Sequence, residues 1–448
     1  ISNNAFGYYR YTLEGTFYDK EGRLINKVAV KPKRDGDRIF KGHIYIVEDE
    51  WAIYGVDLIT SGKQIGIPFV GELRFKQDYN FSNSNKAWVL ISQTIDFGFG
   101  FFGFNVNGKF SSAYSEYNFQ PNFSENYFTN EVLSFEKDAT KKDSVYWKKL
   151  RPVPLTYEEV KDYKVKDSIK VFRKSKTYLD SIDRKNNKFN ILKPITGYTY
   201  RNSYEKWSLG LSSPLESVAY NTVKGWNFNT GLNYFKRIND DGKWWNAGVS
   251  VNYGVSDERV RPIFYFNKKW NNLERPRLSI AVGVSTPQFN SRNPIRRLNN
   301  TVYSLLREQN FLKIYEKTFA RISYSQEATN GLYLNSSLEY AKRSPLFNTT
   351  DYVMFGSDRV FESNNPLDGT DFSAPFSTHN ILTFNLGANI VFGQKYLMYP
   401  NGKFSVGNRK VPSIYLGYRK TFGASNSAFN SDLFIARVRQ FLSVGNYG

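Results

Sequence analysis

A chain of 448 residues with 32 tyrosines, 37 phenylalanines, no cysteine and a formal charge of +20 has room for a large core but none for disulfide or thiolate chemistry. No apolar run approaches the roughly 18 residues that a membrane-spanning helix needs, because even the phenylalanine-rich stretch at 97–104 is cut by glycines, so a helical membrane protein is excluded. The two histidines, His43 and His379, are far apart and have no acidic or histidine neighbour at ligand spacing, which argues against a zinc site and against a serine–histidine–aspartate arrangement.

Residues 1–125 read as strands. "YYRYTLEGTFYD", "LINKVAVKPK", "RIFKGHIYIVED" and "WAIYGVDLIT" are separated by Asp, Gly, Lys and Asn, which are turn residues. The start, "ISNNAFGYY", has no charged or apolar leader region, so a processed start is expected for a secreted protein. "FGFGFFGF" at 97–104 alternates Phe with Gly until Phe101 and Phe102 break the phase, which predicts a bulge. Phe97, Phe99 and Phe101 then form an aromatic strip that either packs a core across small glycines or receives a client or partner subunit. A strand-rich periplasmic domain is expected over 1–129.

Residues 130–190 change character. Thr156 is followed three residues on by Glu159, a capping box just after "RPVPL", and Ile169, Phe172, Leu179 and Ile182 recur at helical spacing. The segment is too charged to lie in lipid. It is expected to be a soluble helical connector on the side from which the following strands begin.

From 191 to 448 a period of two dominates. In "LTFNLGANIVF", Leu382, Phe384, Leu386, Ala388, Ile390 and Phe392 alternate with Thr383, Asn385, Gly387 and Asn389, which makes a two-faced strand. Trp226, Phe228 and Leu232 repeat the pattern, as do Trp245, Val249 and Val251. Leu278, Ile280 and Val282 follow, then Leu332, Leu334 and Leu338. With 206–211, 262–269, 317–325, 413–422 and 432–442, about ten or eleven strands result, several as long as the roughly 9–11 residues that cross a bilayer. The alternate faces carry Asn, Ser and Gly with few long charged side chains, which suits a wet lumen better than an exposed soluble surface. An antiparallel transmembrane β-barrel is therefore expected. Its lipid-facing residues are Trp226, Phe228, Leu232, Trp245, Val249, Val251, Leu278, Ile280, Val282, Leu332, Leu334, Leu338, Leu382, Phe384, Leu386 and Ile390. Trp226, Tyr234, Trp244, Trp245, Tyr253, Tyr265, Trp270 and Tyr340 fall near strand ends, as interfacial belts require. Short turns at 239–243 and 328–331 contrast with the long segment 343–378, as periplasmic turns contrast with outer loops.

Basic clusters stand at 31–38, 141–151 and 170–176. They match no base-reading motif and suit a solvated face or a surface of lipid phosphates, so no nucleic-acid partner is expected.

"VKPKRDGDRIFKGHIYIVEDEWAIYGVDL" (30–58), "RPVPLTYEEVKDYKVKDS" (151–168), "YLDSIDRKNNKFN" (178–190) and "YNTVKGWNFNTGLNY" (220–234) resemble a family of Bacteroidota outer-membrane proteins of unknown function. Its members usually carry an N-terminal carboxypeptidase-regulatory-like domain, and since the sequence from Ile1 shows none, a truncated start is expected. "NTVKGWNFNTGL" is also similar to the first strands of BamA-type assembly-factor barrels, and "VKPKRDGDRIFKGHIYIVED" to the periplasmic lipoprotein-carrier fold, an open sheet that cradles acyl chains. The end, "FLSVGNYG", lacks the terminal aromatic usual in such barrels, so the barrel is expected to be incomplete there.

The resemblance implies an outer-membrane location with residues 1–190 in the periplasm, and a role in envelope biogenesis or transport, handling outer-membrane proteins or lipoproteins within a larger complex. Outer-membrane lipid, lipopolysaccharide and outer-membrane proteins are the expected partners. No cofactor, metal or catalytic residue is expected. The competing readings are an outer-membrane enzyme, for which a general base is scarce, and a secreted all-β binding protein, which should stay in the aqueous phase on detergent partitioning.

Overall fold

The computed structural model describes residues 4–34, 39–67, 70–101, 104–125, 127–150, 154–355, 360–407 and 411–441. The chain divides into two compact units. One comprises Ile1–Tyr127 with Asp143–Leu155, the other Phe128–Lys142 with Thr156–Gly448.

The first unit is a seven-stranded antiparallel meander in sequence order. Its strands are β1 (Tyr9–Tyr18), β2 (Leu24–Pro32), β3 (Lys41–Val47), β4 (Ile53–Ser61), β5 (Val70–Ser82), β6 (Ala87–Phe101) and β7 (Phe104–Ala113). The four strand segments read from the sequence are β1 to β4. Short helices α1 (Ala5–Tyr8), α2 (Gly62–Ile65) and α3 (Ser144–Leu150) accompany them. Among the described residues Ala5, Ile25, Ala29, Val30, Val47 and Val89 are its buried apolar residues. The expected bulge at Phe101–Phe102 is corrected: Phe101 pairs with Phe104, so the phase breaks where the chain reverses from β6 to β7. Phe102 and Gly103 lie outside the described residues.

The second unit opens with a four-residue strand, β8 (Glu131–Ser134), and then the helices that the capping box announced. Thr156 caps α4 (Tyr157–Lys174): its hydroxyl accepts from Glu159 N at 3.3 Å, and Glu159 Oε2 accepts from Thr156 N at 2.8 Å. Ser175 ends α4 and caps α5 (Lys176–Asn186), so the apolar spacing 169–182 runs across two helices. A single turn, α6 (Lys193–Thr196), precedes the sheet.

Eleven strands then form one antiparallel path, whose order is set out from its C-terminal edge as β22, β21, β18, β17, β16, β15, β14, β13, β12, β10, β9. The ranges are β9 (Tyr198–Asn202), β10 (Trp207–Ser212), β12 (Gly225–Arg237), β13 (Trp244–Gly254), β14 (Arg259–Lys269) and β15 (Arg277–Ser285). They continue with β16 (Tyr315–Thr329), β17 (Leu332–Pro345), β18 (His379–Val391), β21 (Ser413–Phe422) and β22 (Ser431–Arg439). The short β11 (Ala219–Asn221) adds to β12, and β19 (Lys395–Tyr399) and β20 (Gly402–Val406) form a hairpin beside β8. Among the described residues β9 and β22 pair only on one side, so what is seen is an all-β antiparallel meander and not a closed barrel.

The connections 286–314 and 346–378 lie at one end of the sheet with the short turn 255–258 and the turn that holds Val223 and Lys224, whereas Asn330–Gly331 and Ile238–Lys243 lie at the other, together with the long connection 392–412 that carries β19 and β20. At that loop end, α7 (Arg297–Arg307) packs on β11, and Val223, Leu312, Ile314 and Leu346 make a small core.

Candidate functional site

Strand register decides what each face carries. One row runs Leu211, Leu232, Val249, Phe264, Val282, Ala320, Tyr340, Leu382 and Phe422, each opposite the next. A second runs Tyr234, Ala247, Phe266, Ile280, Ile322, Leu338 and Phe384. The sixteen residues expected to face lipid all fall on this one face, and none is among the buried core residues. The buried apolar residues of these strands, Phe319, Ala341 and Ile381, are on the opposite face. Near the turn end the apolar face carries a chain of ring contacts, Tyr200–Trp207, Trp207–Tyr234, Tyr234–Trp245 and Trp245–Phe266, with centroids 5.1–6.1 Å apart. Trp226 and the pair Phe228–Tyr253 stand toward the other end. Tyr265 and Tyr340 depart from the expected belt: both are in mid-strand, Tyr340 on the apolar face and Tyr265 on the polar face, where its hydroxyl donates to Asn233 Oδ1 at 3.0 Å. Leu334 is three positions from the Asn330–Gly331 turn, and Leu338 is the mid-strand residue of β17.

The polar face holds its charges in pairs. Lys317 meets Glu339 at 3.0 Å, and Arg261, 1% exposed, meets Glu316 at 2.9 Å and also pairs with Asp257. Around these the loop end closes with amides. Asn300 Nδ2 donates to Asn310 Oδ1 at 2.8 Å, Asn310 Nδ2 donates to Thr222 Oγ1 at 2.7 Å, and Asn364 Nδ2 donates to the carbonyls of Ile314 and Leu346 at 2.7 Å. Each of these three buried amides has a partner, so together they fix the loop end where half-satisfied amides would loosen it.

Beside this network is a cavity of about 530 Å³, lined by Lys224, Arg261, Arg296 and Arg297, by Ser, Thr, Asn and Gln side chains, and by Ile263, Val284, Ile295, Leu312 and Ile314. Among the described residues no Asp or Glu lines it. Lys224 is placed there by a pinned turn: Asn221 Oδ1 accepts from Val223 N at 3.1 Å and Lys224 N at 3.0 Å, and Gly225 closes the turn at φ +61°. The ammonium donates to Asn252 Oδ1 at 3.1 Å and Thr286 Oγ1 at 3.0 Å. Burial pushes its pKa down to about 7, and the nearby charges of Arg297 and Arg261 add to the effect. Arg297 donates to Asn227 Oδ1 at 2.5 Å, and burial lowers its pKa too. Among the described residues neither cation has a carboxylate partner. The pattern of the sequence singles out neither. Their only signal there is the "NTVKG" turn and the doubled arginine before "LNN".

The profile of one family's C-terminal domain matches residues 192–448, and a second profile of the same family matches residues 1–117. The chain belongs to the family of unknown function DUF5686. No curated protein matches it. Among solved structures, in-vitro folded OmpT, an outer membrane protein of Vibrio cholerae, aligns over 97% of this chain and 90% of its own at 7% identity, with a TM-score of 0.22. That likeness is too slight to assign a fold.

Elsewhere in the DUF5686 chain, Phe97 and Phe99 lie on one face of β6, 37% and 38% exposed, opposite Gly108 and Val106 of β7. The side chain of Phe101 lies outside the described residues. His43 Nε2 meets Glu14 Oε2 at 2.9 Å. His379 is buried with its ring stacked on Phe429 at 3.8 Å, and it is the backbone carbonyl of Ser377, not its hydroxyl, that stands 2.9 Å from Nδ1.

Proposed function

We propose that the eleven-stranded sheet crosses an outer membrane with its apolar rows against lipid, and that the protein acts without catalysis in envelope biogenesis or transport, as a subunit of a larger complex that handles outer-membrane proteins or lipoproteins. The observation that carries the membrane reading is the uncovered apolar face. Its first row stays apolar across nine strands and its second across seven, and among the described residues no second layer covers them. In a water-soluble sandwich these residues would supply the core. Trp226 and Tyr234 are eight residues apart on β12. At roughly 3.4 Å per residue and a tilt near 40°, that spacing sets two aromatic levels about 20 Å apart, close to the apolar band of an outer-membrane barrel. In this reading the connector and short turns are periplasmic, and 286–314 with 346–378 face outward.

The test is a charge on either face. Leu386→Arg and Leu338→Arg, both mid-strand, should cost roughly 2–4 kcal/mol in folding into lipid vesicles if they lie near the midplane. Asn335→Arg, on the polar face, should cost much less, and Leu334→Arg, near the turn, should fall between. Equal tolerance on both faces, or folded protein remaining in the aqueous phase on detergent partitioning, would rule out the membrane reading.

A further inference from the structure

The cavity at the loop end has a composition that the membrane reading does not require. A lumen wall needs hydrogen-bonding side chains, yet this one gathers four basic residues and no acidic one, and two of its cations have hydrogen bonds only to neutral oxygens. Keeping Lys224 buried, at 5% exposure, is costly when its hydrogen bonds go only to neutral oxygens and the nearby carboxylate of Asp257 is paired with Arg261, unless an anion arrives to share the site. Two further features point the same way. Arg261 Nη1 is buried and has no hydrogen-bond partner, although the rest of its guanidinium is held by Asp257 and Glu316. The eleven-residue helix α7 also starts at this wall. Its N-cap is Arg296, which offers no side-chain cap, so first-turn N–H groups remain open where Arg296 and Arg297 line the space.

We propose that this cavity binds a phosphorylated saccharide, with the phosphate between Lys224, Arg297 and the first turn of α7 and the sugar ring against the amide and hydroxyl wall. Guanidinium and ammonium donors beside a helix N-terminus suit phosphate oxygens. Asn229, Ser250, Asn252 and Thr286 offer both donors and acceptors, as sugar hydroxyls require. Ile263, Ile295 and Leu312 give the ring's C–H face an apolar floor. The volume of about 530 Å³ lies within the roughly 300–1,000 Å³ of small-molecule sites. The same chemistry is met in a free sugar phosphate and in the phosphosugar headgroup of a glycolipid. The site lies wholly within the second unit, so it stands or falls apart from the membrane reading.

The experiment is calorimetric titration of the full chain, folded in detergent and free of phosphate buffer, with glucose 1-phosphate, glucose and inorganic phosphate. Glucose 1-phosphate should bind at least tenfold more tightly than glucose, and inorganic phosphate should compete with it. Lys224→Met and Arg297→Gln should each weaken glucose 1-phosphate by tenfold or more. Lys206→Gln, which removes a surface cation paired with Asp240 at the turn end, should change nothing. Unchanged near-ultraviolet circular dichroism would show that the variants are folded. Repeating the titration in phosphatidylcholine nanodiscs with and without lipopolysaccharide identifies the source. Loss of sugar-phosphate binding only when lipopolysaccharide is present assigns the site to the glycolipid headgroup, and undiminished binding assigns it to the free ligand. No binding to the unaltered protein, equal affinity for glucose and glucose 1-phosphate, or indifference to both substitutions would overturn the proposal.

Discussion

Lys224 shows how much one side chain can tell when its surroundings are known. Burial lowers its pKa to about 7, and the charged groups around it are Arg297 on α7, Arg261 on β14 and Asp257 in the turn before β14. The sign of the consequence is fixed. Below about pH 7 the amine is protonated in both folded and unfolded chains, and the full cost of burying the charge is felt. Between about pH 7 and the ordinary lysine value near 10.4, the unfolded chain binds more protons than the folded one, so stability rises with pH. Each pH unit in that window adds about 1.4 kcal/mol, so the whole rise is on the order of several kcal/mol. Melting temperatures of the unaltered protein and Lys224→Met, measured from pH 6.5 to 10 without phosphate, should therefore converge as pH rises, with the variant the more stable at the acid end. Parallel profiles would show that Lys224 is not buried as described. The sequence could not announce this residue, because a lysine in a polar turn looks like any solvated one until α7 and β14 are folded over it.

At the scale of elements, legibility follows the length of the repeat. β12, β13 and β18, eleven to thirteen residues long, are legible because about nine or ten residues of each alternate in one phase and leave one interpretation. β9, β11, β19 and β20, at three to five residues, are not, since so short a segment holds at most two periods. α7 escapes for another reason. It buries Asn300, Thr301 and Ser304 beside Leu305 and exposes Leu298, Val302 and Leu306, so its buried face is mostly polar, unlike the pattern by which a helix on a core is recognised. The helix most plainly written in sequence, α4, buries nothing, so its stability rests on local terms. Thr156→Ala should therefore weaken the helix start by about 1 kcal/mol, read as lost helical circular dichroism without loss of β signal. In the proposed topology, residues 156–185 should also be cut by protease added to the periplasm and spared on intact cells. Cutting on intact cells would invert that topology.

For the whole molecule, the proposed reading sets the apolar face of the second unit's sheet against lipid, but it gives the first unit no such assignment. Its clue is the face that carries Phe97 and Phe99 with Val106 and Phe110, the last two 56% and 57% exposed. Apolar residues at that exposure on several adjacent positions form a patch of the kind that marks binding sites on soluble domains. Yet the ring of Phe97 lies over Gly108, where an added Cβ would meet it at 2.3 Å, so part of the strip does pack within its own sheet. Phe97 belongs to the structure of β6 and β7, and Phe99, 38% exposed on the same face, is the position at which the two roles can be told apart. We expect Phe99→Asp to leave the amount of folded protein in the membrane unchanged and to lower the surface level of outer-membrane proteins and lipoproteins, as blocked receipt of a client or partner requires. Both quantities would be measured in the same cells, by quantifying this chain in membrane fractions and by labelling surface proteins. A fall in the chain itself, in step with everything else, would show that Phe99 is a structural residue of the sheet and would remove the basis for a client there.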